Sequence, residues 1–354
     1  MALLDVPPAY TGFLMSFLPV GKLRAEALQA IFDAHPIRDP RVVVGPRVGE
    51  DAAVLDMGDR YLVVTTDPIT FATDEIARYA LQVNANDIAV RGAQPKWFLA
   101  TLLLPAGGTS DTTVKTLFAE LAEACDELEI SLVGGHTEIT HGLDRTIVVG
   151  TMLGEVAKDR LVTTGGAQVG DAVVLTKGIP VEGAAIIARE KEQELLALGV
   201  RKSVIQRARR FLATPGLSVL PEVEIATELA RVHSMHDPTE GGLATALQEV
   251  ADAAGVGLRI DRDRITIIPE GAELCRAFGL DPLGTIASGA LLMTLAPADA
   301  AIVIHALGRE RIDSHYIGTV VPRSEGVTLV DGATRVPMPV FPQDEITKLF
   351  AAGG

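Results

Sequence analysis

The stretch Val83-Asn84-Ala85-Asn86-Asp87-Ile88-Ala89-Val90-Arg91-Gly92-Ala93-Gln94-Pro95 decides how this chain is read. It has the pattern of the last turns of a helix that begins near Thr73. Gly92 suits the position just after such a helix, and Pro95 stops any continuation. At roughly 100° per residue, Ile76, Ala80, Val83 and Val90 share one apolar face. Asp87 falls in the middle of that face, and Asn84 flanks it one turn back. A carboxylate on a core-facing stripe is costly unless something pairs with it. Asp87 therefore either caps a neighbouring backbone or lies at the floor of a cleft and holds a cation.

Upstream, residues 41–67 read as β structure. Ala52 to Leu55 and Tyr61 to Thr66 are apolar runs joined by the tight turn Met57-Gly58-Asp59-Arg60. Asp51 precedes the first run and Asp67-Pro68 ends the second. With Asp87 they make three carboxylates on adjoining elements, a number that suits a hard, oxygen-seeking cation such as Mg²⁺. Further upstream, Lys22 to Ala34 has the pattern of a short amphipathic helix, with Lys22 just after Gly21.

Downstream, Trp97 to Leu104 is a buried strand. Ser110 caps a helix that runs to Leu128, with Val114, Leu117, Leu121, Cys125 and Leu128 on one face. A strand then runs into Gly134-Gly135, followed by His136, Thr137 and Glu138. Such a glycine pair lets backbone approach a ligand closely. Thr146 to Val156 closes this half, and Gly165 to Asp171 marks a seam. Beyond it, Ala172 to Thr176 is a strand, and Glu182 to Leu195, Arg201 to Leu212 and Val223 to Val232 are helices. Ser234 to His236 is a strand that ends in Asp237-Pro238-Thr239-Glu240-Gly241-Gly242, with a helix from Leu243 to Ala254. Glycines between a strand and a helix N-terminus expose backbone N–H groups to an anion. No Walker A loop or Gly-x-Gly-x-x-Gly fingerprint is present.

The totals narrow the classes. A chain of 354 residues accommodates two domains, and a net charge of −15 disfavours a nucleic-acid partner. Cys125 and Cys275 lie far apart inside helical patterns, as buried free thiols in a reducing compartment do. The N-terminus lacks the features of a leader, and no apolar run is long enough to span a bilayer. The expectation is a soluble cytoplasmic protein. Its divisions are an arm and short helix over 1–40, domains over 41–160 and 161–340, and a tail over 341–354.

Five motifs in order then carry a resemblance: Gly49-Glu50-Asp51-Ala52-Ala53-Val54, Thr66-Asp67-Pro68, Asn86 to Pro95, Gly134 to Glu138 and Asp237 to Gly242. Together they resemble the AIR synthetase-like ATP-binding superfamily over about residues 22–340. The second half is most similar to its hydrogenase-maturation branch, HypE, through Asp237 to Ala244 and Phe278 to Leu283. The resemblance implies an α+β fold: an N-terminal mixed or antiparallel sheet domain that dimerises, and a C-terminal α/β sandwich. It implies ATP in the cleft between sheet and helices, partly at the dimer interface. Asp51, Asp67 and Asp87 would hold Mg²⁺, and Asp87, Asp237 and Lys22 would serve catalysis. Gly49, Asn84, Asn86, Gly134, Gly135, His136, Thr137, Glu138, Thr239, Gly241 and Gly242 would contact the nucleotide.

The implied reaction is phosphorylation of an amide- or carboxyl-type oxygen on an unidentified acceptor, with a maturation protein as a further partner. A small-molecule kinase or synthetase, or a nucleotide-binding module without turnover, are the alternatives. Three departures stand out. His136 replaces an acid, Glu240 replaces the Arg common in HypE, and the sequence ends Ala351-Ala352-Gly353-Gly354 instead of in HypE's cysteine.

Overall fold

The computed structural model describes residues 21–23 and 25–350. Most of the expected arm and the last four residues fall outside them. A short helix, α1 (Ala25–Ala34), precedes the first half. Its strands are β1 (Val42–Val44), β2 (Ala53–Asp56), β3 (Arg60–Ile69), β4 (Gln94–Pro105), β5 (Ser131–Thr140) and β6 (Ile147–Ala157), with helices α2 (Ile76–Ala89) and α3 (Asp111–Glu127). The strands form one mixed sheet in the order β1-β2-β3-β6-β4-β5. β4 and β5 are parallel, and the other neighbours are antiparallel.

β3 runs three residues beyond the expected end, with Asp67 opposite Gly150, Pro68 opposite Val149 and Ile69 opposite Val148. β2 stops opposite Val64, so from Thr65 onward β3 is an edge on that side, where proline is tolerated. Ser110 caps α3 as expected, its hydroxyl accepting from the Thr113 N–H.

The helix α2 is buried all round rather than on one face. It packs on β3, β4 and β6 and also touches α3 and the second half of the chain. A helix in that position needs no polar face, so its wheel does not separate Asp87 from Asn84 and Asn86. Close approach to the sheet requires glycine on β6. A Cβ at Gly150 would lie 2.3 Å from Asn84 Nδ2, and one at Gly154 would lie 2.3 Å from Ile88 Cγ2. The opposite face of the sheet carries Leu62, Val64, Leu99, Leu103, Val149 and Leu153, all half-buried in the single chain.

The second half contains β7 (Ala172–Thr176), β8 (Val232–His236), β9 (Gly257–Asp261), β10 (Leu292–Leu295), β11 (Ser314–Val321), β12 (Val327–Asp331) and β13 (Thr334–Pro337), in the order β13-β12-β9-β11-β7-β10-β8. Its helices are α4 (Val181–Glu190), α5 (Glu192–Ala197), α6 (Lys202–Ala208), α7 (Leu220–Leu229), α8 (Gly242–Ala254), α9 (Pro269–Phe278) and α10 (Pro297–Arg309). Val173 and Leu175 pack with α8, whereas Val174 and Met293 pack with α7 and α10. The sheet is thus covered on both faces, as its near-continuous apolar strands require. The expected helix 182–195 breaks at Lys191, which separates α4 from α5.

The described part of the expected tail, residues 341–350, is packed against the rest of the chain. Asp344, Glu345, Ile346 and Thr347 are buried, and Phe350 meets Phe71 of the first half with ring centroids 5.8 Å apart. An apolar Ile346 and two rings explain why the segment docks between the halves. Among the described residues, no helix is long and apolar enough to cross a membrane.

Candidate functional site

A cleft of about 660 Å³ lies between the β2–β3 side of the first half and α8, with residues 338–344 as a third wall. Asp51 enters it from the turn before β2, Asp67 from β3 and Asp87 from the last turn of α2, while Asp237, just after β8, is fully buried beside them. Asp51, Asp87 and Asp237 each place a carboxylate oxygen within 4.8 Å of the others. Asp237 was expected as a catalytic acid, and it takes the third place in this cluster that was expected for Asp67. Thr65 Oγ1 donates to Asp87 Oδ2 at 2.7 Å, and Asp67 lies two residues further along the same strand. Its carboxyl lies within hydrogen-bond reach of the Asp87 carboxyl, so it adjoins the cluster through Asp87.

Burial, then the charges of Asp67, Asp237 and Asp51, push the Asp87 carboxyl well above the usual range. Burial and Asp51 push Asp237 up to about 7. Burial also raises Asp67. Asp237 is completely buried, yet neither of its carboxylate oxygens has a hydrogen-bond partner. Orphaned buried carboxylate oxygens facing two more carboxylates form an all-oxygen donor set that fits Mg²⁺.

Asp51 differs from its neighbours because two cationic side chains converge on its Oδ2. Arg91, fully buried, donates through Nη2 to Asp51 Oδ2 at 2.5 Å and to Thr164 Oγ1 at 2.8 Å. Its Nη1 donates to Glu50 Oε2 at 2.5 Å. His236 Nδ1 lies 2.8 Å from Asp51 Oδ2, and its Nε2 lies 3.0 Å from Glu249 Oε2. Burial alone raises the Asp51 carboxyl, but His236 and Arg91 outweigh it and hold Asp51 below the usual range. Burial likewise disfavours charge on His236, and the two carboxylates overcome it, lifting the imidazole to about 10.

Arg91, Glu50 and Glu249 were not identified from sequence as site residues. Arg91 carried a usable signal: it follows Asp87 by four positions at the end of a buried helix. Glu249 carried none, because an acid on the outer side of a helix is the ordinary case.

Lys22 sits at the cleft mouth with its Nζ 3.9 Å from Glu249 Oε1. Burial lowers its pKa, but Glu249, Asp51, Asp67 and Glu240 raise it further, so the amine stays cationic. The Lys22 N–H donates to Glu240 Oε2 at 3.1 Å, which gives the acid at that unusual position a task. Gly49 and Thr239 line the cleft, Gly49 with φ +84° and its Cβ position only 3.0 Å from the Glu249 carbonyl oxygen.

Other expected nucleotide contacts have different roles. Asn84 Oδ1 accepts from the Asp67 N–H at 3.0 Å and its Nδ2 donates to the Ala80 carbonyl at 2.8 Å, which pins α2 to β3. Asn86 donates to the Leu217 carbonyl and accepts from the Val219 N–H, which ties α2 to a loop of the second half. Both are fully buried, because α2 has no solvent face. The Gly241 N–H donates to Asp344 Oδ2 at 2.7 Å and the Gly242 N–H to the Thr239 carbonyl at 3.0 Å, so neither is free for phosphate in this state. Gly134, Gly135, His136, Thr137 and Glu138 lie on the exposed edge strand β5. That edge is three strands from β3, about 14 Å away, and does not reach the cleft of the same chain.

Behind the cleft, burial pushes the Glu182 carboxyl up to about 8. The nearby Ser288 hydroxyl opposes this rise, and the charges of Asp344, Glu240 and Asp237 add to it. The folded chain therefore keeps a proton that an unfolded Glu releases near pH 4 to 5. That contribution is full below the unfolded value and is lost as pH rises toward the folded one. In Mg²⁺-free buffer, stability falls between about pH 5 and about pH 8, by at most about 1.4 kcal/mol per pH unit for this group. Thermal melts across that range check it. Glu182→Gln flattens the slope, and an unchanged slope in that variant rejects Glu182 as the source.

The chain matches two family models, AIR synthase related protein, N-terminal domain, over residues 49–156 and its C-terminal domain over residues 168–331. Carbamoyl dehydratase HypE of Cupriavidus necator is 30% identical over 288 residues, 78% of each chain. A hydrogenase maturation protein HypE solved in complex with ATP superposes with a TM-score of 0.67 at 20% identity, over 90% of this chain and 91% of that one. A ThiL solved with AMPPCP and TMP gives a TM-score of 0.64 at 21% identity, over 80% and 87%.

Proposed function

Because the chain belongs to the AIR synthase related family, we propose that it is a Mg²⁺-dependent, ATP-using enzyme of the HypE type that phosphorylates an amide- or carboxyl-type oxygen. One observation carries the reading: the buried, unpartnered carboxylate of Asp237 lies against those of Asp51 and Asp87, which line the cleft. The solved relatives with ATP and AMPPCP support nucleotide as the occupant. Asp51, Asp87 and Asp237 would hold Mg²⁺, with Asp67 beside them. Bound there, the cation would neutralise phosphate charge. Lys22 closes the mouth with a positive charge, and Arg91 and His236 keep Asp51 ionised and in place. The acceptor is a free molecule or a group carried by another protein. Cys125 and Cys275 are both buried, and burial pushes their thiols up to about 11 and about 12, so neither is a thiolate near neutral pH.

Thermal melts with ATP, Mg²⁺ and both together test the proposal. A stabilisation of about 2.7 kcal/mol at a hundredfold excess over Kd is expected with both present, and a smaller one with Mg²⁺ alone. No shift at millimolar ATP and Mg²⁺ would refute it. A second reading, nucleotide binding without turnover, draws on Asp344, whose carboxylate holds the Gly241 N–H where phosphate was expected. ADP formation over hours separates the two.

The half-buried apolar face of the first sheet is the surface a second copy would cover in a symmetric dimer. Light scattering at micromolar concentration is expected to give twice the 37.3 kDa chain mass. Leu99→Arg should return the particle to one chain. A 37.3 kDa particle before substitution counts against the dimer.

A further inference from the structure

We propose that His236 is a positioning residue that registers the two halves of the acidic site against each other. It bonds to Asp51 of the first half and Glu249 of α8, and so sets its own chain neighbour, Asp237, opposite Asp51 and Asp87. The proposal rests on the reading of those three acids as a cation site.

Asp51 and Asp87 belong to the first half, and Asp237 to the second. A three-carboxylate site assembled from two halves needs a contact that fixes their separation. The Asp237 carboxylate supplies none, since neither of its oxygens is bonded. His236 is only 2% exposed, and both of its ring nitrogens are engaged, at 2.8 and 3.0 Å. Both partners are carboxylates, which accept, so both ring nitrogens donate. The Asp51 bond uses Oδ2, the same oxygen that Arg91 holds, which leaves Oδ1 outside both contacts. Glu249 is fixed in turn: its backbone carbonyl lies against Gly49, two residues before Asp51, where a side chain would be too close. The bridge therefore joins the Gly49–Asp51 turn, β8 and α8 into one unit.

Loss of registry weakens cation binding. Two neutral replacements test it, because each keeps one of the two contacts. The amide nitrogen of Asn stands near the place of Nδ1 and keeps a donor for Asp51. The amide nitrogen of Gln stands near Nε2 and keeps only the Glu249 contact.

Mn²⁺ is the probe, with the free ion counted by electron paramagnetic resonance and cation-free melts run in parallel. His236→Asn is expected to bind Mn²⁺ within about threefold of the unsubstituted chain or more tightly, and His236→Gln at least tenfold more weakly. Equal losses in both variants, or unchanged or tighter binding in His236→Gln, overturn the proposal. Should His236→Gln fail to melt cooperatively, His236→Asn decides alone: a tenfold loss in that variant also overturns it. No Mn²⁺ binding by the unsubstituted chain would instead remove the cation reading on which the proposal rests.

Discussion

Asp87→Asn is expected to weaken Mg²⁺-ATP binding by more than about a hundredfold, roughly 2.7 kcal/mol, while leaving the cation-free protein as stable as before or more so. The two effects have separate causes. The carboxylate is one of three that converge within 4.8 Å, and an amide in its place donates only one neutral oxygen. Folding loses little, because Asn Oδ1 can still accept from Thr65 Oγ1, the bond that Asp87 Oδ2 makes at 2.7 Å. It gains from relief of repulsion, since Asp67, Asp237 and Asp51 all push the Asp87 carboxyl upward. Isothermal titration with Mg²⁺-ATP and thermal melts in chelator check both halves. A large fall in melting temperature with unchanged ATP affinity would make Asp87 a structural cap, the other reading its sequence allowed.

The place of Asp87 was legible because a charged residue interrupted an otherwise apolar periodicity. Asp51 and Asp67 were legible because each stood at the end of an apolar run. Asn84 and Asn86 misled for a physical reason. They stand three and one residues before Asp87 and are as deeply buried, but each satisfies its amide against backbone. Sequence spacing cannot distinguish a polar side chain that faces a cleft from one that faces a loop 131 residues away. The docked segment 344–350 was missed because its burial depends on two partners, Phe71 and Lys191, distant in the chain. The Gly134–Glu138 motif was found, but its position follows from strand order, which no local pattern encodes.

The same limit hid the buried guanidinium that holds the site's acids. Arg91 is fully buried, and its partners Glu50 and Asp51 are 3% and 13% exposed at their side chains. Arg91→Met is expected to destabilise the chain by about 3–5 kcal/mol, because it strands two acids that water barely reaches. A drop of more than about 5 °C in melting temperature corresponds to that loss. Two further consequences follow. Glu50→Gln in the Arg91→Met background should recover part of the loss, since it removes one of the stranded charges, whereas Glu50→Gln alone should be destabilising. Mg²⁺ should also stabilise Arg91→Met more than the unsubstituted chain, provided the site still assembles, because the cation then meets an Asp51 that no longer shares its charge with a guanidinium. Chemical denaturation of the four chains of this cycle measures the coupling directly. Additive effects, or a loss below about 1 kcal/mol in Arg91→Met, would show that the buried cluster contributes little beyond packing.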